Sequence, residues 1–315
     1  MKNTTLGKTR IKVSRLCFGT LTLGPLQAGL PVETGAKVMA RAIESGINFC
    51  DTAQLYETYP YIKRAMELTR KYDLVIASKT YAYSRKLAES AVEEARQALN
   101  RDYIDIFLLH EQESALTLDG HREALEYLYE CRQKGIIKAV GASMHHVAAA
   151  EAAAEKELDV IHPLLNVNGL GIVDGTRAEM ESAVKTAHEA GTGTYAMKAL
   201  GGGNLFKQAD KCLEYILSLD FIDSVAIGMQ SAEEVDTNIG FFETGVFSEE
   251  SQKILAKKTR RLHIESWCEG CGECAVKCGQ NAISVKKGRA VCVHERCILC
   301  GYCSPACPSW AIKVV

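Results

Sequence analysis

The chain has 315 residues, of which 47% are apolar, so it can bury one large core and carry a small appended unit. Its formal net charge of −2 gives no general attraction to nucleic acids or membranes. It contains no apolar run of about 18 residues, and its N-terminal stretch MKNTTLGKTRIKVSR lacks the apolar core of a signal peptide. We therefore expect a cytoplasmic protein that binds neither nucleic acid nor a membrane.

Short apolar runs alternate with longer amphipathic stretches between residues 12 and 240. The runs are RLCFG, INFCD, LVIASK, IDIFLLH, IIKAVGAS, DVIHPLL, GTYAMKAL and SVAIG. Short runs rich in valine and isoleucine predict buried strands. The stretches between them predict helices, as in SRKLAESAVEEARQALNR, where apolar side chains recur every four residues at Leu87, Ala91, Ala95 and Leu99.

This alternation predicts an α/β fold, a (β/α)8 TIM barrel, because eight strand–helix units fit into about 245 residues. An open, doubly wound sheet is the alternative. That fold favours a GxGxxG turn after the first strand, and FGTLTLG is not such a turn.

Polar residues stand where the predicted strands end. Asp51, Lys79, His110 and Ser143 close the second to fifth runs. In a TIM barrel the C-terminal ends of the strands meet on one face, which carries the chemistry. We expect the active site on that face.

The motifs DTAQLY (51–56), SKT around Lys79 and LLHEQ around His110 resemble the aldo-keto reductase family. The opening LGKTRIKVSRLCFGT fits the N-terminal hairpin and first strand of that family, and the resemblance spans about residues 4–242. It implies a TIM barrel that uses NAD or NADP, without a metal, to reduce an aldehyde or ketone or to oxidise the matching alcohol.

The resemblance assigns catalytic roles to Asp51, Tyr56, Lys79 and His110. Tyr56 would be the acid that protonates the carbonyl oxygen, and Lys79 would lower its pKa, which is about 10 in a free phenol. Asp51 would hold Lys79, and His110 would polarise the substrate oxygen. Each residue taken singly also has an ordinary structural explanation, such as helix capping or packing. Their order on consecutive strands favours catalysis.

The resemblance also assigns nine cofactor-binding residues: Gly19, Thr20, Ser143, His162, Met197, Lys198, Gly228, Gln230 and Asn238. Three departures from the family pattern affect the nicotinamide end. Met144 replaces an asparagine, His162 stands in the usual glutamine position, and Met197 stands where an aromatic ring often stacks.

The adenosine end would be bound by GMQSAEEVDTNIG, after the eighth strand. This loop contains no Arg or Lys, whereas Glu233 and Glu234 suit a ribose hydroxyl, which slightly favours NAD. Lys198 could still serve a 2′-phosphate, so the choice between NAD and NADP stays open. Residues 243–266 predict a final helix and a basic linker containing KKTRR.

Eight cysteines form two runs, CEGCGECAVKC and CILCGYCSPAC, each with the spacing C-x2-C-x2-C-x3-C. This is the pattern of bacterial two-cluster ferredoxins, in which the fourth cysteine of each run binds the other cluster. It implies two 4Fe–4S clusters, one bound by Cys268, Cys271, Cys274 and Cys307, and the other by Cys297, Cys300, Cys303 and Cys278. A double zinc site is the alternative.

The change in composition predicts a barrel over residues 1–257, a linker over 258–266 and a small α+β ferredoxin-like domain over 267–315. The segments NAISV and WAIKVV are expected to be its paired strands. So small a domain buries little apolar surface, and iron–thiolate bonds would stabilise it.

As a whole the chain resembles a ferredoxin-containing branch of the aldo-keto reductases. The clusters would relay electrons to an external carrier, or serve as a structural or docking module beside a carbonyl reductase. Alternatively, the protein is an iron–sulfur electron carrier on a degenerate barrel. We expect the cysteine-rich unit to pack on the C-terminal face of the barrel and form part of the pocket wall.

Overall fold

The computed structural model describes residues 1–315, apart from the side chains of residues 154 and 256. All eight predicted runs form strands, and these close into a parallel barrel in the order β10-β3-β4-β5-β6-β7-β8-β9. The strands are β1 (Asn3–Thr5) and β2 (Lys12–Ser14), which form an antiparallel hairpin, and then β3 (Leu16–Gly19), β4 (Phe49–Asp51), β5 (Val75–Thr80), β6 (Ile104–Gln112), β7 (Ile137–Met144), β8 (Val160–Pro163), β9 (Gly193–Ala196) and β10 (Ser224–Gly228). The TIM barrel and its N-terminal hairpin are confirmed.

Helices surround the barrel and extend into the C-terminal region. They are α1 (Val32–Glu44), α2 (Tyr59–Thr69), α3 (Arg85–Leu99), α4 (Ala115–Gly120), α5 (Arg122–Gln133), α6 (Val147–Glu155), α7 (Arg177–Glu189), α8 (Ala209–Ser218), α9 (Ala232–Thr244), α10 (Glu249–Lys257) and α11 (Glu273–Lys277). Among the residues that the structure describes, none of the helices is both long and apolar enough to cross a membrane.

The buried face of α3 differs slightly from the predicted one. Ala91, Ala95 and Leu99 are buried as expected, but Leu87 is 43% exposed and Ala88 packs inward instead. An α-helix has 3.6 residues per turn, so residues spaced by four move gradually around the helix. Over three turns the first of them leaves the buried stripe.

The barrel strands are buried on both sides. A small apolar cluster that includes Cys17, Phe49 and Tyr195 fills the interior, and a larger cluster lies between the strands and the helices. Gly141 allows β7 to approach β8 closely, since a Cβ atom there would lie 1.7 Å from the carbonyl oxygen of Val160. This packing gives the strand ends a rigid base.

The C-terminal region contains two small antiparallel sheets. One pairs β11 (Leu262–Ile264) with β14 (Ile312–Val314), and the other pairs β12 (Ile283–Lys286) with β13 (Arg289–Cys292). The predicted strands NAISV and WAIKVV therefore exist, as β12 and β14, but the expectation that they pair with each other is wrong. A tight turn at Lys287–Gly288, with φ of 49° and 73°, folds β12 onto β13, while the predicted linker supplies the partner of β14.

This region docks on the C-terminal face of the barrel, as expected. The backbone N–H of Val314 donates to the carbonyl oxygen of Gly202 at 3.0 Å, and Asn204 Nδ2 donates to the carbonyl oxygen of Ile312 at 3.2 Å. Gly202 and Asn204 belong to the loop after β9, so the docked strand lies beside the catalytic face.

Candidate active site

Four side chains meet at the ends of strands β4, β5 and β6. Lys79 Nζ donates to Asp51 Oδ1 at 2.8 Å and lies 4.9 Å from the centroid of the Tyr56 ring. Tyr56 Oη lies 3.4 Å from His110 Nε2. The structure thus brings together the four residues that the motifs suggested. A phenol between an imidazole and a buried ion pair can exchange a proton with a carbonyl oxygen.

Side chains that the motifs did not indicate support this group. Tyr195 Oη donates to Asp51 Oδ2 at 2.9 Å, so both carboxylate oxygens of Asp51 are engaged. Lys79 Nζ also donates to the carbonyl oxygen of Thr52 at 2.7 Å. The ring of Tyr81 stacks on His110 with centroids 4.4 Å apart. A lone tyrosine in a strand normally indicates packing, so the sequence alone could not single out Tyr195.

The pKa of Tyr56 is raised, contrary to the lowering expected from Lys79. Burial is the main cause, followed by the negative charge of Asp51. Lys79 is already paired with Asp51, so its charge does little to favour the phenolate. Burial likewise lowers the pKa of His110 well below its usual range, and the charge of Lys79 adds to that effect. At neutral pH the site therefore holds a neutral phenol and a neutral imidazole.

A cavity of about 350 Å³ opens on this face and runs toward helix α9. Asp51 and Tyr56 line it, together with most of the predicted cofactor residues: Gly19, His162, Met197, Lys198, Gly228, Gln230 and Asn238. Its size suits an organic ligand held by a few polar groups.

Two predicted cofactor residues lie outside the lining of this cavity. Thr20 is fully buried, and its Oγ1 donates to the carbonyl oxygen of Asp51 at 2.9 Å. Ser143 Oγ accepts a hydrogen bond from the backbone N–H of Glu111 at 2.9 Å. Both hydroxyls hold the strand ends in position.

His162 lines the cavity, and its Nε2 lies 3.7 Å from Asp51 Oδ2. Its Nδ1 donates to the carbonyl oxygen of Tyr195 at 2.6 Å, which leaves Nε2 as the unprotonated nitrogen. Burial lowers its pKa to about 4, although Asp51 acts in the opposite direction. A neutral imidazole with a free lone pair can accept an N–H group, as the usual glutamine oxygen would.

The C-terminal region forms part of the cavity wall. Arg260, Val314 and Val315 line the cavity with the barrel residues, and the charge of Glu265 contributes to the raised pKa of Tyr56. The expectation that this region contributes to the pocket is confirmed.

The cysteine runs form a second, smaller cavity. Cys268, Cys271, Cys274 and Cys307 line it together with Ile312. The backbone N–H of Ala311 donates to Cys307 Sγ at 3.2 Å, and that of Ala282 donates to Cys278 Sγ at 3.3 Å. Cys278, Cys297 and Cys303 belong to the apolar cluster around this cavity. Cys300, the remaining predicted ligand, is exposed.

Cys278, Cys297, Cys300 and Cys303 do not line this cavity. All thirteen cysteines are free. Within the described part of the chain, no three His, Cys, Asp or Glu side chains converge closely enough to hold a single metal ion.

Comparisons with known proteins agree with the barrel. The model of the aldo/keto reductase family matches residues 15–211. The chain is 22% identical over 300 residues to the uncharacterized oxidoreductase YqkF of Bacillus subtilis, covering 81% of this chain and 97% of that protein. It is 23% identical over 284 residues to L-galactose dehydrogenase of Arabidopsis thaliana, covering 74% and 86%.

Solved structures share the same fold. The holo form of an aldo-keto reductase from Bacillus halodurans aligns with a TM-score of 0.65 at 21% identity, covering 82% of this chain and 96% of that one. A putative aldo-keto reductase from Pseudomonas aeruginosa aligns with a TM-score of 0.64 at 22% identity, covering 77% and 94%. With a family model that spans most of the barrel and a closed eight-stranded sheet, the chain belongs to the aldo/keto reductase family of oxidoreductases.

Proposed function

We propose that the protein reduces a small aldehyde or ketone with NAD(P)H and oxidises the matching alcohol in reverse. One observation carries this proposal: Tyr56 Oη, 3.4 Å from His110 Nε2, lies at one end of a cavity whose other end reaches Asn238. The cavity therefore joins a proton donor to the loop and helix that resemble an adenosine-binding site.

The residues of the chain divide the reaction between them. Bound NAD(P)H would supply the hydride to the carbonyl carbon. Tyr56 would donate its proton to the carbonyl oxygen, which gains the electron pair released from the π bond, and solvent would reprotonate Tyr56 after product release. His110, neutral at pH 7, would hydrogen-bond the same oxygen. His162 Nε2 would accept an N–H group of the nicotinamide carboxamide.

The test is Tyr56→Phe, measured in an anaerobic screen of aldehydes and ketones with NADH and NADPH. Loss of turnover with nucleotide fluorescence titration unchanged is expected. Tyr83→Phe, an exposed tyrosine away from the cavity, is the matched control. Full turnover by Tyr56→Phe would exclude Tyr56 as the acid.

We further propose that the eight cysteines bind two 4Fe–4S clusters, in the two sets that the spacing implies, within residues 267–315. Residues 258–266 would join this unit to the barrel of residues 1–257. A cubane cluster binds each cysteine through a different iron, so its ligands surround a cavity, as Cys268, Cys271, Cys274 and Cys307 do. Backbone N–H groups directed at Cys307 and Cys278 sulfurs suit charged thiolates.

Iron and sulfide analysis after anaerobic reconstitution tests this assignment. Cys271→Ala should lose about half of the iron and sulfide, whereas Cys131→Ala, on helix α5 of the barrel, should lose none. Binding of zinc in place of iron and sulfide would contradict the proposal. Retained iron in both variants would also contradict the ligand sets.

A second candidate function, an electron carrier on a degenerate barrel, is favoured only by Met144 and Met197 in place of the usual residues. The assembled group of Asp51, Tyr56 and Lys79 argues against it. The docked position of the C-terminal region favours a structural role for it in the pocket, with transfer to an external electron carrier as the alternative. Absence of NADH and NADPH binding would favour the carrier.

A further inference from the structure

The basic linker reaches the adenosine end of the cavity. Lys258 Nζ pairs with Glu234 Oε1, and Arg260 Nη2 lies 3.8 Å from the same oxygen. Arg260 lines the cavity together with Gln230 and Asn238. The cations that the loop after β10 lacks are therefore supplied by the segment that joins the barrel to the cysteine-rich unit.

Glu234 has little capacity left for a ribose hydroxyl. Its Oε2 accepts the backbone N–H of Gln230 at 2.7 Å, its Oε1 is paired with Lys258, and its side chain is only 11% exposed. Glu233, the other acidic residue that favoured NAD, is exposed and does not line the cavity. Both arguments from the sequence for NAD are thus weakened.

Arg260 keeps donors free for a ligand. Its guanidinium lies over the Phe206 ring, 4.9 Å from the centroid, and its Nε is buried without a hydrogen-bond partner among the described residues. Arg132, by comparison, contacts both carboxylate oxygens of Asp159 at 2.5 Å. Arg260 has only a long contact to Glu234, whose nearer partner is Lys258, so its planar fork can turn to a phosphate.

The balance of charge at this end is positive. Lys258 neutralises Glu234, which leaves Arg260 in excess, and Lys207 lines the same cavity. A 2′-phosphate carries close to two negative charges, whereas a ribose hydroxyl carries none.

We propose that Arg260, carried by the linker, binds the 2′-phosphate of NADP and makes the enzyme selective for NADPH over NADH. This proposal rests on the proposed function. It assigns cofactor selectivity to a residue outside the strands and helices of the barrel. Lys258 is a positioning residue, because its pairing with Glu234 holds the linker against α9.

The test measures binding of NADPH, NADH, adenosine 2′,5′-bisphosphate and adenosine 5′-monophosphate to the full chain. Wild-type protein should prefer NADPH and the bisphosphate. Arg260→Gln should weaken both by about 10- to 100-fold, the range for loss of a charge-assisted hydrogen bond, with NADH binding unchanged. Arg260→Lys should retain part of the preference.

Arg261→Gln is the matched control, because Arg261 is exposed and does not line the cavity. The preference of this variant for NADPH over NADH should equal that of wild type. Equal binding of NADH and NADPH by wild type, or a parallel loss of both in Arg260→Gln, would overturn the proposal for Arg260 alone. If wild type binds no nucleotide at all, the proposed function fails and the selectivity proposal fails with it. Thermal melts of each variant separate these outcomes from misfolding.

Discussion

Tyr195 Oη donates a 2.9 Å hydrogen bond to Asp51 Oδ2, across the barrel interior and 144 residues away in sequence. Lys79 occupies the other carboxylate oxygen. Because Asp51 is held from two sides, its carboxylate cannot rotate away from Lys79 without breaking a buried hydrogen bond.

Tyr195→Phe should therefore slow carbonyl reduction without unfolding the barrel. Loss of one buried hydrogen bond corresponds to about a tenfold fall in kcat. The KM for nucleotide should stay constant, because Tyr195 does not line the cavity. Tyr59→Phe removes another buried hydroxyl, bonded to Ser78 Oγ at 2.7 Å, and should leave kcat unchanged. Equal effects of the two substitutions on kcat would argue against a role for Tyr195 in positioning Asp51.

The raised pKa of Tyr56 predicts a pH profile for the reaction. An acid whose pKa lies above its usual value of about 10 stays protonated, so carbonyl reduction should not fall between about pH 6 and pH 9. Alcohol oxidation needs the deprotonated form and should rise with pH over the same interval. Initial rates of both directions in one buffer series provide the measurement. A falling limb for reduction near neutral pH would show that Lys79 lowers the pKa after all.

His162 predicts a loss of stability in acid. Its folded pKa of about 4 lies below its ordinary value of 6.5, so the unfolded chain takes up the proton first. The neutral imidazole therefore does not reduce the free energy of unfolding above pH 6.5. As the pH falls toward 4, proton binding to the unfolded chain lowers that free energy, by about 2 kcal/mol at pH 5. Urea unfolding at pH 7.5 and pH 5 measures this. Over that interval the free energy of unfolding of His162→Gln should fall by about 2 kcal/mol less than that of wild type.

Substitution of Gly203 tests whether its contact with strand β14 holds the C-terminal region against the barrel. A Cβ atom at Gly203 would lie 1.9 Å from the carbonyl oxygen of Val314, and its φ is +82°. Gly245 has a similar φ of +80° but open space around it. Both substitutions to alanine strain the backbone by about 1–2 kcal/mol, but only Gly203→Ala also pushes β14 away.

Hydrogen exchange of residues 262–315 separates these two effects. Gly203→Ala should raise the exchange rates of these residues. Gly245→Ala should lower the free energy of unfolding of the chain without a specific rise in exchange at residues 262–315. Equal exchange in the two variants would mean that the contact at Val314 does not hold the region.

The barrel could be predicted because each of its strands is encoded by consecutive residues. Each strand is a short apolar run, and Asp51, Lys79 and His110 stand at the ends of such runs. Parallel strands of a closed sheet bring those ends together whatever the loops do. The same logic could not reveal Tyr195, because its hydroxyl acts only through a carboxylate distant in sequence.

The wrong predictions concern contacts between residues that are far apart in the sequence. Strand β14 pairs with β11, which lies far away in the sequence, and nothing in WAIKVV specifies that partner. The loop after β10 appeared to lack cations because Lys258 and Arg260 lie beyond helices α9 and α10 in the sequence. Similarly, Lys79 beside Tyr56 suggested a lowered pKa, since burial and pairing are properties of the folded chain.

Strand β14 borders two cavities at once. Val314 lines the one that holds Tyr56, and Ile312 lines the one that holds Cys268 and Cys307. Protein interiors are close-packed, so a strand of three residues cannot shift at one end and stay still at the other. A change that swells or empties the cysteine cavity must therefore move a wall of the catalytic one. The packing around Cys268 and Cys307 and the shape of the cavity at Tyr56 are thus mechanically coupled through one short strand.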